Sequence, residues 1–207
     1  MITYIVKNMK HIYTLTAIAV LLLFAISCGD FLEEDPKSIV TEDEFYKTPA
    51  DALAAVNATY FFYNGGGPNG SGQSAYNSLL QVGMEFATDE QNPGPGATNA
   101  DVRSLSAHNH SSTNRTFYEN WQQHYAGIKR ANVAIDKIPT IDFGTNTALR
   151  DRYVAEAKFN RAFIYFNLVR LWGDVPLVVK NQNFVKPQDY YIAKSPATEV
   201  YAQIERD

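Results

Sequence analysis

The side chains with the clearest chemical potential lie in two polar stretches, residues 64–78 and 91–118. The first carries Asn64, Asn69, Gln73, Tyr76 and Asn77; the second carries Asn99, Asp101, Arg103, His108, Asn109, Arg115 and Tyr118. Amides and guanidinium groups suit the hydroxyls of a sugar, and tyrosine rings suit the apolar face of a pyranose. Tyr76, Asn77, Arg103 and Arg115 are the candidate contacts, against the plainer reading of hydrogen bonds that order loops and a core ring at Tyr76. Acid–base chemistry would need paired carboxylates. Asp89-Glu90 is the obvious pair, but neighbours in sequence point apart, and a capping or loop-ordering role fits better. His108-x-His110 lacks a third metal ligand at helical or strand spacing. Asp89, Glu90, Asn92, Asn99 and Asp101 offer oxygens to calcium without forming a binding motif, so neither calcium nor any other metal is assigned. No nucleophile elbow or ordered Ser/His/Asp set is present. The chain reads as non-catalytic.

Cys28 is the single cysteine and cannot form an internal disulfide. It follows Lys7, Lys10 and His11, then the uncharged run Ile12–Ile26. That run is short for a bilayer span and fits the apolar region of a signal peptide. Ala25-Ile26-Ser27-Cys28 resembles a bacterial lipobox, with Ala25 where Leu is usual. Residues 1–27 are then a lipoprotein signal peptide, and Cys28 carries the lipid. An ordinary secretory signal and a transmembrane anchor are the competing readings. Several acyl chains hold a protein on a membrane far more firmly than one. The acids Asp30, Glu33, Glu34 and Asp35 make a solvated tether and resemble the surface-export signal of Bacteroidetes lipoproteins.

The formal charge is -4, and loss of residues 1–27 removes Lys7 and Lys10 but no acid, giving -6. With no basic cluster, nucleic acid is excluded as the main ligand.

Helices must position these side chains. Thr41-x-x-Glu44 is a capping box before Phe45 and Tyr46. Thr48-Pro49-Ala50-Asp51 opens a second helix, with Leu53, Val56 and Tyr60 on one face. Residues 64–74, NGGGPNGSGQS, form a flexible loop without the ending of a phosphate loop. A helix is expected over Tyr76–Phe86, followed by a second long loop over 91–115. From Thr116, Trp121, Tyr125, Ile128, Asn132, Ile135 and Ile138 recur at steps of 3 and 4 until Pro139. Trp121 and Trp172 fall in helix stripes and read as core.

The stretch ALRDRYVAEAKFNRAFIYFNLVRLW has no glycine or proline. One stripe runs through Leu149, Tyr153, Ala157, Asn160, Ile164, Leu168 and Leu171; Phe159, Phe163, Phe166 and Val169 form another. Apolar residues on two sides imply packing between neighbours. Gly173 ends the helix, Val175–Val179 is an extended edge piece marked by Pro176, and Ser195-Pro196 starts a last helix. The expected fold is all-α: TPR-like helical hairpins, an α-solenoid scaffold, with long irregular loops in an incomplete domain.

Taken in order, several stretches resemble the SusD/RagB family. They are Cys28 to Pro36, Phe45-Tyr46-Lys47-Thr48 with Asp51-Ala52, Thr88-Asp89-Glu90, Trp121-x-x-x-Tyr125-x-x-Ile128-x-x-Ala131-Asn132, and Ile135-Asp136-x-Ile138-Pro139. The most specific is Ala155-Glu156-Ala157-Lys158-Phe159-x-Arg161-Ala162, continuing through Tyr165 to Leu177. The resemblance implies an outer-membrane lipoprotein facing the cell exterior. It also implies a SusC-like TonB-dependent β-barrel transporter as partner and oligosaccharide as ligand. Peptide capture, as in the RagB branch, is the runner-up. A helical protein-interaction module and a surface glycosidase are the alternatives from other classes. Family members are longer, which makes residues 28–207 an N-terminal helical region. The matching motifs are scaffold motifs and transfer no ligand contact.

One hairpin cannot cover both stripes of its second helix. A protein of residues 28–207 alone is therefore expected to be poorly soluble, and monomeric behaviour with one cooperative melt would count against this.

Overall fold

A computed structural model describes residues 42–64, 80–182 and 186–207. Helix α1 is Glu42–Phe45, and Thr41 of its capping box lies outside the described residues. Helix α2, Pro49–Asn64, starts as expected: Asp51 Oδ2 accepts the Thr48 N–H at 2.7 Å, and Asp51 N–H donates to Thr48 Oγ1 at 3.3 Å. These bonds to Thr48 hold the Asp51 carboxyl below its ordinary range.

The buried face of α2 differs from expectation. Leu53 and Tyr60 are 42% and 43% exposed, while Ala52, Ala55, Val56, Thr59 and Phe62 are buried. The run is apolar all round, so periodicity could not choose a side. Small residues decide it, because they let neighbouring helices come close. Of the expected helix over 76–86, α3 occupies Leu80–Glu85, and residues 76–79 lie outside the described set.

The stretch read as one loop over 91–115 contains a helix, α4, at Ala100–Ser106. Asn99 Oδ1 accepts from the Asp101 N–H at 2.9 Å and from Val102 N–H at 3.4 Å. Leu105 is fully buried and anchors the turn. Val102 and Leu105 are its only large apolar residues, and one i,i+3 pair in a polar stretch is too short a pattern to mark a helix.

The scaffold is a hairpin of α5, Arg115–Lys137, and α6, Thr147–Trp172, with α2 packed against both. Asn114 caps α5 by accepting the Thr116 N–H at 2.9 Å. A short 3-10 turn at Ile138–Thr140 follows, with Pro139 in it. Gly173 ends α6 at φ 70°, where a Cβ would strain the backbone. Strand β1, Val175–Pro176, pairs antiparallel with β2, Lys194–Ser195, and α7, Ala197–Arg206, packs on α6. Gly127 lets α5 meet both neighbours. A Cβ there would lie 2.7 Å from Ile164 Cδ1 and 3.2 Å from Phe62 Cδ2.

The architecture is all-α, and its only sheet among the described residues has two strands. The first stripe of α6 is buried at Tyr153, Ala157, Asn160, Ile164 and Leu168, but at its ends Leu149 is only half-buried and Leu171 is exposed, since fewer neighbours cover the ends of the helix. In the second, Val169 is buried while Phe159 remains 64% exposed. The Arg170 guanidinium lies over Phe166, 4.4 Å from its ring centre.

A polar network ties residues 175–181 to the hairpin. Arg161 Nη1 donates to Asn132 Oδ1 at 2.8 Å and to Val179 O at 2.9 Å. Its Nε and Nη2 make a two-pronged pair with the Asp207 carboxylate, the first contact at 2.7 Å. Asn132 Nδ2 donates to Val178 O at 2.9 Å and to Lys180 O at 3.2 Å. Tyr165 Oη accepts the Val178 N–H at 2.6 Å and donates to Val178 O at 3.0 Å. Both sides of the Arg161–Asp207 pair are almost wholly buried.

Removing one partner of a buried ion pair leaves the other charge uncompensated. Arg161→Ala is therefore expected to cost about 3–5 kcal/mol in urea unfolding. A loss below about 1 kcal/mol would assign the pair no structural role.

Candidate functional site

Helix α5 and the segment after β1 enclose a groove of about 750 Å³. Trp121, Tyr125, Lys129 and Asn132 come from one face of α5, and Pro176, Val178, Lys180, Asn181 and Gln182 come from the tethered segment. Tyr190, Tyr191 and Ile192 complete the lining, beside a 3-10 turn at Pro187–Tyr190. The α5 contribution follows from helical spacing, since residues three and four apart share a face. The opposite wall is an irregular strand held by side chains. Tyr125 Oη donates to Pro176 O at 2.8 Å, and Asp136 Oδ2 accepts the Asn181 N–H at 2.8 Å.

The groove lining is mostly apolar, with amide and ammonium side chains among the rings. Burial pushes the phenols of Tyr125 and Tyr165 upward, so both stay protonated and serve as hydrogen-bond donors. Trp121 packs against Tyr125 with ring centres 4.8 Å apart, and edge-on against Trp172 at 5.4 Å. Tyr191 is 87% exposed and Tyr190 is 66% exposed. The arrangement presents four aromatic rings, side-chain amides and two ammonium groups to a ligand. Such surfaces bind; rings take apolar faces and amides take hydroxyls.

Behind Trp172 sits His124, fully buried between Phe62, 4.9 Å from ring to ring, and Trp172 at 6.0 Å. Its Nδ1 lies 2.6 Å from Asn120 O, so a neutral ring donates there, and Nε2 is buried without a hydrogen-bond partner. Burial pushes the imidazole down to about 4.

The residues singled out from sequence lie elsewhere. Cys28, Tyr76 and Asn77 fall outside the described residues. Arg103 is exposed on α4, and Arg115 is exposed at the start of α5, where its Nε pairs with Glu119 Oε1 at 2.6 Å. Neither lines the groove. Asn114 brings their elements together, donating from Nδ2 to Asp101 O at 3.0 Å and to Ser104 Oγ at 3.1 Å. Asp89 and Glu90 are exposed, and Thr88 Oγ1 accepts the Glu90 N–H at 3.3 Å. Two of the oxygens considered for calcium already serve the backbone, at Asn92 and Asn99. His108 takes a positive φ of 52°, while His110 packs edge-on to Phe117 at 5.2 Å. Among the described residues, no three His, Cys, Asp or Glu side chains gather as a metal site, and no helix is long and apolar enough to cross a membrane.

Sequence reasoning treated Trp121 as core and passed over Tyr190 and Tyr191. Trp121 does pack on the core cluster while also lining the groove. The available signal was the Tyr190-Tyr191 pair in a polar segment, where apolar burial could not explain two adjacent rings.

A SusD-like family, described as starch-binding and associating with the outer membrane, matches residues 30–207. The chain belongs to this SusD-like family. SusD-like protein P38 of Formosa agariphila is 33% identical over 178 residues, covering 84% of this chain and 32% of that protein. SusD-like protein P2 of the same organism is 33% identical over 195 residues, covering 94% of this chain and 36% of the relative. A solved structure titled laminarin binding SusD-like protein superposes with a TM-score of 0.59 at 27% identity, covering 78% of this chain and 33% of that one. This SusD-like chain thus spans about a third of the length of the curated relatives it matches. Two of its family-motif residues, Asn132 and Arg161, hold the buried network.

His124 sets a pH dependence. Its folded value lies below the ordinary 6.5, so the unfolded chain takes up the proton first. Stability is full above pH 6.5 and should fall as pH drops from 6.5 towards 4, by up to about 3 kcal/mol. Thermal melts across that window should steepen for the parent protein and flatten for His124→Leu; equal slopes would remove the assignment.

Proposed function

We propose that this chain is the N-terminal helical part of a non-catalytic surface lipoprotein that captures an oligosaccharide for import through a SusC-like TonB-dependent transporter. In this reading residues 1–27 are the signal peptide, and 28–207 is the SusD-like region. The lipid on Cys28 holds the protein on the outer membrane, facing the exterior, with no other cofactor.

The observation that carries the reading is the aromatic and amide lining of the groove, in a chain of a family described as starch-binding. A pyranose stacks its apolar face on rings such as Trp121 and Tyr191, and its hydroxyls meet amides such as Gln182. The laminarin-binding neighbour supports a glycan over a peptide.

Affinity electrophoresis of the protein through gels with immobilised laminarin and a panel of other polysaccharides tests capture. Retardation is expected without release of reducing ends, and Trp121→Ala with Tyr191→Ala should weaken it at least fivefold. Steady release of reducing ends would make the protein an enzyme. Retention on peptides alone would move it to peptide capture. Cys28→Ser should abolish palmitate labelling and release the protein from membranes. A β-barrel transporter should accompany the lipidated form in mild detergent, and its absence would sink the import role.

A further inference from the structure

We infer that the groove selects a glycan carrying anionic groups, carboxylate or sulfate ester, and that Lys129 and Lys180 read that charge. This rests on the glycan-capture reading and adds a substrate class to the same site.

Lys129 and Lys180 both line the groove, and both are exposed. They flank one residue: Asn132 lies one turn beyond Lys129 on α5, and its Nδ2 binds Lys180 O at 3.2 Å. The bond fixes the backbone of Lys180 against the helix that carries Lys129. Lys129 and Lys180 therefore come from the two elements that wall one groove. Among the described residues neither makes an ion pair, and no Asp or Glu lines the groove. The helical neighbours of Lys129 are Tyr125, Ala126, Asn132 and Val133, with no acid to neutralise it. Three carboxylates near these lysines in sequence bond the backbone: Asp136 accepts the Asn181 N–H, Asp174 accepts the Ala197 N–H at 2.9 Å, and Asp189 accepts the Lys186 N–H at 2.9 Å.

The chain has a formal charge of -4, so a polyanion gains nothing from the protein's overall field. Attraction must come from a local pair of cations, and such exposed charges act over roughly 10 Å at 0.1 M salt. A neutral glucan would use the rings and amides and leave both ammonium groups idle. An acidic peptide would meet the cations but has no pyranose face to lay on the rings. Ring stacking with paired cations fits a charged sugar.

The test is calorimetry of the protein with three polysaccharide probes: neutral laminarin, polygalacturonate for carboxylate and carrageenan for sulfate. A poly-glutamate control and a Lys129→Gln, Lys180→Gln double variant complete the set. At least one charged polysaccharide should bind tenfold or more tighter than laminarin. That preference should shrink at least fivefold from 50 to 500 mM NaCl and disappear in the double variant. The winning probe distinguishes carboxylate from sulfate. Laminarin bound as tightly as both charged probes, or a preference untouched by the double variant, would overturn the inference and leave glycan capture standing. Binding of poly-glutamate above all the polysaccharides would overturn it in favour of peptide. No binding of any polysaccharide would remove the capture reading itself.

Discussion

A guanidinium buried in a helical core must have every donor answered, and the architecture is arranged around answering those of Arg161. Its side chain is nearly inaccessible, yet it reaches three separate parts of the chain: Asn132 on α5, the backbone of Val179, and Asp207 beyond α7. No apolar side chain could make these joins, since dispersion has no direction while a planar fork of donors does. Such a pair adds little net stability compared with a well-packed apolar substitute. Its contribution is register. It sets where the segment after α6 crosses the hairpin and where α7 comes to rest.

The groove inherits its shape from that crossing. One wall is α5, a long regular helix whose residues are spaced by geometry alone. The other has almost no secondary structure of its own, and its carbonyls at Pro176, Val178, Val179 and Lys180 are each taken by a side chain from the hairpin. An irregular strand fixed at successive carbonyls behaves as a rigid wall. The ring series from Phe62 through His124 and Trp172 to Trp121 then ties the groove floor to the core.

Much of the scaffold was legible because the sequence spells out helix ends chemically. Thr48 with Asp51, Pro139, Gly173 and Pro196 each mark a boundary that the structure keeps. Harder was the choice of face. In α2 every side carries apolar residues, and only the approach of two other helices reveals that Ala52 and Ala55 turn inward. Helix α4 was hidden for the opposite reason, since Leu105 alone makes its core contact. The groove was least legible of all. Lys180 and Tyr191 are far from Lys129 in sequence, and the side-chain bonds of Tyr125, Asn132 and Asp136 bring that segment to α5. No local pattern records a long-range bond. Arg103 and Arg115 have residue types that suit sugar, but they sit on α4 and at the first residue of α5, outside the groove lining.

Pro176 carries a further consequence. It has no N–H to offer, and its carbonyl is already bonded to Tyr125. Beyond it, both backbone groups of Val178 are held by Tyr165. An extended segment ordinarily exposes a ladder of unmet donors and acceptors, an invitation to another chain. At Pro176 and Val178 the invitation is withdrawn, by a missing hydrogen and by borrowed hydroxyls. The segment can lie extended on the hairpin without offering a template for intermolecular strand pairing.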